Sequence, residues 1–400
     1  MRILIVLTYY RPHASGLTIY AERLAKALAR RGHAVTVMTS QYARNLAREE
    51  IDEGVHVIRI PVAFRLSKGV IMPKFGPTAN ALVLKNDAVL LHLPQFDAAG
   101  VALRGRLLKR PTILAYHCDL RMPPGVISWV ANQAVRVMNE LAAIFSHRIV
   151  TNTRDYAEHS PFLQRYLDKV HVIQPPVVMP AIQPAAVAAF AKEYNPEGHR
   201  PVIGLASRFA TEKGIEVLLD ALPAIFNEFP NAMVQFVGAY QNVVGEESYF
   251  ARLYPRIQRY EAEGRWKFLG FLHDDEMPAF YSNLDVLVLP SLNSTESFGL
   301  VQIEAMMHGV PVAASDLPGV RQPVLNHHMG KIFPVGDAAG LASSVIEILR
   351  NRGSFNADAQ DIRDHYLPDA IAAAYEQLFL EIAVEVQPEK KRSLIKPPES

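Results

Sequence analysis

The feature that most constrains this chain is one pattern that occurs twice. Short, unbroken apolar runs alternate with longer helical segments, the alternation stops at a proline-rich stretch, and then it restarts. An apolar run without polar alternation is buried on both faces, which is the mark of parallel strands covered by helices on each side. In the first half, Arg2–Thr8, Ala34–Ser40, Val55–Pro61, Ala88–Leu93, Thr112–His117, Arg148–Thr153 and His171–Ile173 read as strands. Leu17–Arg31, Asp97–Lys109 and Val126–Ser146 read as helices. Between Gln174 and Pro201 prolines stand at 175, 176, 180, 184, 196 and 201, so the stretch reads as a linker. Beyond it, Val202–Ala206, Met233–Val237, Trp266–Gly270, Val286–Leu289, Pro311–Ala314 and Lys331–Pro334 read as strands. Gly214–Phe229, Ser248–Glu263, Asp275–Tyr281, Leu300–His308 and Ala338–Arg350 read as helices.

The expected fold class is therefore α/β, with two Rossmann-like domains whose parallel sheets face across a cleft. The expected boundaries are 1–178 and 201–365, with a linker over 179–200. Residues 366–386 read as a last amphipathic helix packing back toward the first domain, and 387–400 as a disordered basic tail. Ligands of open α/β sheets bind at the carboxyl ends of the strands, so the chemistry is expected in the loops found there.

Charge narrows the partners. The net charge is +1, but residues 1–178 hold 23 Lys and Arg against 12 Asp and Glu, a net of +11, and the remainder is −10. The basic half suits an anionic membrane surface or a phosphate-bearing acceptor, or it complements the acidic half. No nucleic-acid partner is expected. The single cysteine, Cys118, excludes an internal disulfide and fits a reducing compartment. The apolar run Ile3–Leu7 is too short for a signal peptide, and no run reaches the roughly 18 residues of a membrane span. A cytoplasmic protein is expected, or one peripheral on the inner face of a membrane.

Three loops carry residues suited to an anionic, polyhydroxylated ligand. Glu296 and Glu304 flank Gly299 where a loop should turn into a helix, with Ser297, Phe298 and Leu300 around the turn. A helix N-terminus offers unpaired N–H groups to phosphate. A carboxylate on either side suits hydroxyls at both ends of a nucleotide-sugar. After the first strand of the second half come Arg208 and Lys213, a bidentate fork and a mobile point charge for a diphosphate. His117 ends an apolar strand and opens a loop containing Asp119. The first loop, Thr8 to Gly16, lacks the G-x-G-x-x-G pattern, so NAD and FAD are not expected, although Gly16 permits close backbone approach. No Asp-x-Asp sequence occurs, so neither a metal-held diphosphate nor any other cofactor is expected.

In order along the chain stand Ser15-Gly16 before Glu22-Arg23-Leu24-Ala25-Lys26-Ala27-Leu28, then Arg31-Gly32-His33, His117, Ser207-Arg208 and Lys213-Gly214. Pro290-Ser291, Glu296-Ser297-Phe298-Gly299, Glu304-Ala305, Pro311-Val312 and Asp316-Leu317-Pro318-Gly319 follow. Over residues 1–380 this series resembles glycosyltransferase family 4, the retaining enzymes of the GT-B fold. The resemblance implies an acceptor-side first domain and a second domain that binds a nucleotide-sugar donor. It implies that Arg208 and Lys213 hold the donor diphosphate and that Glu304 binds the ribose. Glu296 would contact the donor sugar, with backbone N–H groups near Phe298–Leu300, and the base would rest near Gly270, Phe271 and Leu272. Gly16 would approach the phosphate and His117 the transferred sugar. Tyr10, His13 and Asp119 are weaker candidates for the acceptor side. Members often carry two adjacent glycines in the first loop, whereas this chain has Ser15-Gly16.

The expected reaction is transfer of a hexosyl unit from a UDP- or GDP-sugar to a hydroxyl acceptor, including lipid-linked glycans and glycolipids. It needs no metal. The segment Val126–Phe145 carries only Arg136 and Glu140 as charges, and reads as either a buried helix or a membrane-docking face. Arg65, Lys68 and Lys74 in an apolar stretch favour a lipid-linked acceptor. A nucleotide-sugar epimerase and a non-catalytic sugar- or nucleotide-binding protein are the alternatives.

Overall fold

A computed structural model describes residues 1–66, 69–119 and 126–387. Lys68 and all but the first residue of the expected tail lie outside the described residues. The chain divides into two units, Met1–Pro176 with the chain from Tyr366 onward, and Val177–His365.

The first unit is an eight-stranded sheet with helices on both faces. Its elements are β1 (Arg2–Val6), α1 (Gly16–Arg30), β2 (Ala34–Gln41), β3 (Glu49–Asp52) and β4 (Val55–Pro61). A small hairpin, β5 (Phe64–Leu66) and β6 (Gly69–Ile71), precedes α2 (Phe75–Lys85), β7 (Ala88–Leu93), α3 (Ala98–Leu107) and β8 (Thr112–Tyr116). Then come α4 (Val126–Phe145), β9 (Arg148–Thr151), α5 (Arg154–His159) and β10 (Val170–Val172). The strand order is β10-β9-β8-β7-β1-β2-β4-β3, parallel except for β3 against β4. The chain winds outward from β1 to β4, returns to β7 beside β1, and winds outward the other way. Such a reversal point is where the loops at the carboxyl ends part and leave room for a ligand.

Successive side chains of β1 alternate between faces, and both faces are buried. Ile3 and Ile5 pack with α1, while Leu4 and Val6 pack with residues of α2, α3 and α4. The edge strand β3 has the sequence Glu-Glu-Ile-Asp, with no apolar alternation to mark it, and Ile51 is 78% exposed. Lys26 on α1 holds this edge through Asp52 and Glu53 at 3.1 and 2.9 Å, and pairs with Glu22 of its own helix at 2.9 Å. The part of α4 whose side chains are described buries Ala142 and Ala143 and leaves Val137 and Ile144 exposed.

The second unit opens with α6 (Pro184–Tyr194), β11 (Val202–Ala206) and α7 (Ile215–Glu228). It continues with β12 (Met233–Val237), α8 (Glu247–Ala262), β13 (Trp266–Gly270), α9 (Met277–Ser282) and β14 (Val286–Leu289). It closes with α10 (Leu300–Met306), β15 (Val312–Ser315), α11 (Arg321–His327), β16 (Gly330–Phe333), α12 (Ala338–Arg350) and α13 (Ala359–His365). The order β13-β12-β11-β14-β15-β16 is all parallel and reverses between β11 and β14. Against expectation, the proline-rich stretch is not a free linker over its whole length. Pro184 stands in the first turn of α6, where its missing N–H costs nothing. Phe190 is buried, and Asn283 donates to Val187 O at 3.1 Å, tying α6 to the second unit.

The last helix, α14 (Pro368–Val386), belongs to the first unit. Ile371, Ala372, Tyr375, Leu378, Phe379 and Ile382 join the core around α1. Tyr375 and Tyr20 share a hydroxyl–hydroxyl hydrogen bond of 2.7 Å, and both are buried. Arg31 pairs with Glu376 at 2.7 Å beside it.

Burial in both units pushes histidines down. His147, which accepts from Thr112 N at 3.1 Å, falls to about 4, as do His308 and His327. The folded state keeps these rings neutral, whereas the unfolded chain protonates them near the ordinary 6.5. Between those values the unfolded state binds more protons, so stability falls as the pH drops. Urea unfolding at pH 7.5, 6 and 5 should show midpoints that decrease steadily below about 6.5. A midpoint unchanged down to pH 5 would remove this account of the buried histidines.

Candidate active site

The loops after β11 and β14 meet at the reversal point of the second sheet. After β11 the backbone stays tied to the neighbouring strand, with Ser207 N donating to Val237 O at 2.9 Å and Phe209 N to Ala239 O at 2.6 Å. The close approach needs glycine at 238, where φ is +123° and a Cβ would lie 2.1 Å from Ser207 O. Phe209 is fully buried among Phe236, Tyr249 and Phe250. Arg208 is thus set between two anchored residues, with its side chain exposed and paired to Glu212.

One turn of 3-10 helix, Thr211–Lys213, follows and ends at Gly214 in the left-handed conformation. Thr211 is held by Glu246, which accepts from its N and Oγ1 at 2.9 and 2.7 Å. A Cβ on Gly214 would lie 2.0 Å from Pro290 O, so the two loops are pressed backbone to backbone. Leu292 N adds a hydrogen bond to Glu212 O at 2.9 Å. This contact delivers Lys213 Nζ to 2.6 Å from Glu296 Oε2, in an ion pair whose side chains are only 19% and 17% exposed. The pair joins two residues 83 positions apart in the chain.

Glu296 is followed by a buried turn, Ser297-Phe298-Gly299. Gly299 has φ +79°, and a Cβ there would meet Leu289 Cδ2 at 2.5 Å. Gln302, fully buried, clamps the turn by donating from Nε2 to Phe298 O at 2.7 Å and to Val320 O at 2.9 Å. Leu300 opens α10, and Glu304 lies on its inner face, 8% exposed. Tyr281 on α9 donates to Glu304 Oε2 at 2.9 Å and is itself fully buried. Arg208, Lys213, Glu296, Ser297, Phe298, Gly299, Leu300 and Glu304 therefore come from the two loops, and the helix behind one of them, that flank the reversal point. Gly270, Phe271 and Leu272 stand at the carboxyl end of β13, separated from β11 by β12. Gly270 accepts from Gly238 N at 2.8 Å, and Phe271 is 70% exposed.

In the first unit the loop after β1 leads to Gly16, the first residue of α1. Ser15 caps that helix, accepting from Thr18 N while its own N donates to Thr18 Oγ1. The serine at this position is a helix cap, which accounts for its departure from a double glycine. His117 follows β8, and burial pushes it down to about 4. Its Nε2 lies 2.8 Å from Nδ1 of His92.

Two weaker candidates have other work. Tyr10 is 1% exposed and part of the core under α1, not of an acceptor surface. Asp119 accepts from the hydroxyls of Tyr116, Ser160 and Tyr156 at 2.8, 2.8 and 3.0 Å. Such a carboxylate braces its own loop. His13 stacks on Tyr9 at 4.8 Å and meets Tyr42 edge-on at 5.7 Å. Sequence reading missed His92, Tyr281 and Gln302. Each is a polar residue in an apolar run, and only the fold shows which loop it steadies.

A family model described as glycosyl transferases group 1 matches residues 188–364, and one described as a glycosyl transferase 4-like domain matches residues 15–176. The chain belongs to the group 1 glycosyltransferases. It is 26% identical to a phosphatidyl-myo-inositol mannosyltransferase of Mycolicibacterium smegmatis over 88% of this chain and 85% of the relative. It is 27% identical to a 2-deoxystreptamine N-acetyl-D-glucosaminyltransferase of Streptomyces fradiae, over 92% and 91%. The fold is similar to that of the Anabaena protein Alr3699/HepE in complex with UDP, with a TM-score of 0.73, 20% identity and coverage of 95% and 100%. It is also similar to a sucrose-phosphate synthase from Thermosynechococcus elongatus, with a TM-score of 0.71, 21% identity and coverage of 96% and 99%. This glycosyltransferase therefore has the GT-B fold, with one parallel-sheet domain in each unit.

The contact between Gly214 and Pro290 makes a sharp expectation. Gly214→Ala meets both a left-handed φ and a backbone oxygen, and should destabilise by at least about 1–3 kcal/mol. Gly198→Ala, at φ +70° with nothing within 4 Å, should cost only the left-handed backbone, about 1–2 kcal/mol, and so less than Gly214→Ala. Urea midpoints that are equal for the two variants would show that the loops are not in contact.

Proposed function

We propose that this glycosyltransferase moves a hexosyl unit from a UDP- or GDP-sugar to a hydroxyl acceptor, with retention at the anomeric carbon and without a metal ion. The observation that carries this reading is the Lys213–Glu296 pair at 2.6 Å, set at the reversal point of the second sheet with Arg208 in the same loop. Breaking the bond from the sugar C1 to the phosphate leaves negative charge on the diphosphate. Lys213 and the Arg208 fork supply cations for it, the task a metal ion would otherwise perform. Glu304, oriented by Tyr281 at one oxygen, suits the ribose hydroxyls. Ser297–Leu300 offer the sugar a rigid turn, and Gly270–Leu272 serve the base. From the first unit, Gly16 and His117 serve the phosphate and the transferred sugar.

The step proposed is attack on the face the diphosphate leaves. The acceptor oxygen bonds to C1, the C1–phosphate bond breaks, and the acceptor proton passes to the departing phosphate oxygen. Glu296 positions Lys213 and the sugar, and forms no covalent bond. The Anabaena protein Alr3699/HepE forms complexes with UDP and with UDP-glucose, which supports a nucleotide donor.

A thermal-shift panel of UDP, GDP, ADP and dTDP tests this directly. A nucleotide at about 100 times its dissociation constant should stabilise the protein by roughly 2.7 kcal/mol. Glu304→Ala and Lys213→Ala should lose most of that shift, and Lys213→Ala should slow transfer about 10²–10³-fold. No shift with any nucleotide, or a trapped glycosyl–Glu296 adduct, would overturn the assignment.

We also propose a lipid-linked acceptor reached by peripheral contact with an anionic membrane. The relatives named phosphatidyl-myo-inositol mannosyltransferase support it, as does the +11 first half. The β5–β6 hairpin exposes Phe64 at 59% and its register partner Ile71 at 37%, close to Arg65 and Lys74. No helix among the described residues is long and apolar enough to cross a membrane. Binding to phosphatidylserine-containing vesicles should be measurable at low salt and weaken as salt rises. Equal, salt-independent binding to neutral vesicles, or none at all, would sink the proposal.

A further inference from the structure

His92 and His117 form a pair that the sequence motifs do not mark. β7 and β8 are neighbours, with His92 in register with Ala115 and Leu93 with Tyr116. His117 N continues the ladder by donating to Leu93 O at 3.1 Å. The His92 ring is 1% exposed, lies nearly parallel to that of His117, and places Nδ1 2.8 Å from His117 Nε2. Tyr20 meets His92 and His117 edge-on at 5.8 and 4.9 Å, and its hydroxyl is tethered to Tyr375. The His92 ring is thus enclosed, and the His117 ring is held against it.

At 2.8 Å the two facing nitrogens must share one proton. Two bare lone pairs repel there, and two N–H groups collide. Two arrangements satisfy this with neutral rings. If His117 donated from Nε2, the proton of His92 would sit on its own Nε2, which is buried and has no partner among the described residues. If His92 donates from Nδ1, its Nε2 is a bare acceptor instead. A stranded buried N–H is the rarer of the two faults, because a donor without an acceptor forfeits its one hydrogen bond. The second arrangement is favoured.

We propose that His92 is a positioning residue for glycosyl transfer: its Nδ1–H donates to His117 Nε2, holds the ring, and assigns the His117 proton to Nδ1. His117 then works as a hydrogen-bond donor at Nδ1 toward a sugar hydroxyl or phosphate oxygen, not as a base there. The catalytic consequence rests on the reading of His117 as a residue that meets the transferred sugar, whereas the tautomer does not.

The test is 15N NMR of the histidine-labelled full chain near pH 7.5, beside kinetics of two variants. Wild type should show His117 and His92 each protonated at Nδ1. His92→Phe keeps an aromatic ring and removes the donor. It should release the His117 tautomer into a mixture and lower kcat about tenfold with little change in donor KM. His92→Asn, whose amide nitrogen can stand where Nδ1 stood, should restore the His117 tautomer and most of kcat. A wild-type His117 protonated at Nε2 would overturn the proposal even if both variants failed to fold. Equal losses in the Phe and Asn variants, with the His117 signals unmoved, would reduce His92 to packing. Full activity in His117→Ala would instead sink the reading of His117 and leave the tautomer result standing.

Discussion

Everything at the candidate site depends on one topological constraint. In each unit the chain winds outward from the first strand, returns beside it, and winds away on the other side. Crossovers are right-handed, so such a reversal sends successive loops away on opposite faces and opens a crevice at the carboxyl ends of the two central strands. In the second sheet those strands are β11 and β14, and the loops that follow them carry the Lys213–Glu296 pair. In the first they are β1 and β7, followed by the loop to Gly16 and flanked by the His92–His117 pair. Both units put their candidate site residues at the same place in the sheet for the same reason.

The electrostatics of the second crevice follow from packing. Lys213 is delivered to Glu296 because Gly214 has no side chain to hold Pro290 away. Arg208, in the same loop, is paired with Glu212. Both cations are therefore held by carboxylates of their own domain, and Lys213 is already largely removed from water. On the proposed reading, a diphosphate meeting them would exchange one anionic partner for another, with the desolvation of Lys213 already met in folding. Glu304 is prepared in a comparable way by Tyr281, which occupies Oε2 from within the protein.

The strands that carry the fold were legible because parallel strands buried on both faces are written as continuous apolar runs. Val202–Ala206, Met233–Val237, Trp266–Gly270 and Val286–Leu289 have the boundaries read from sequence. The short elements β5, β6, α5, α11 and α13 escaped, and so did two kinds of greater consequence. β3 is an exposed edge of acidic residues that gains its order from Lys26 and β4, not from its own pattern. α2 begins with Phe75-Gly76-Pro77, a composition that reads as a turn although proline is tolerated in a first helical turn. Helix α6 was hidden by the prolines around it. Among candidate site residues, Arg208, Lys213, Glu296 and Glu304 were singled out by their places in and behind the loops that follow apolar strands and by the family resemblance. His92, Tyr281 and Gln302 were not visible, because a polar residue inside an apolar run shows its purpose only when its neighbour in space is known.

The placement of α14 has a consequence for how this protein is made. Six of its side chains belong to the core around α1, yet they lie behind all 189 residues of the second unit in the order of synthesis. During translation the first sheet emerges early, and the α1 face of it waits, uncovered, while the second unit is produced. The second unit is continuous in the chain and can fold as it leaves the ribosome. The first to be made is thus the last to be finished. A nascent chain stalled before Tyr366 carries an exposed apolar face and lacks the Tyr375 hydroxyl that steadies Tyr20 against the two histidines.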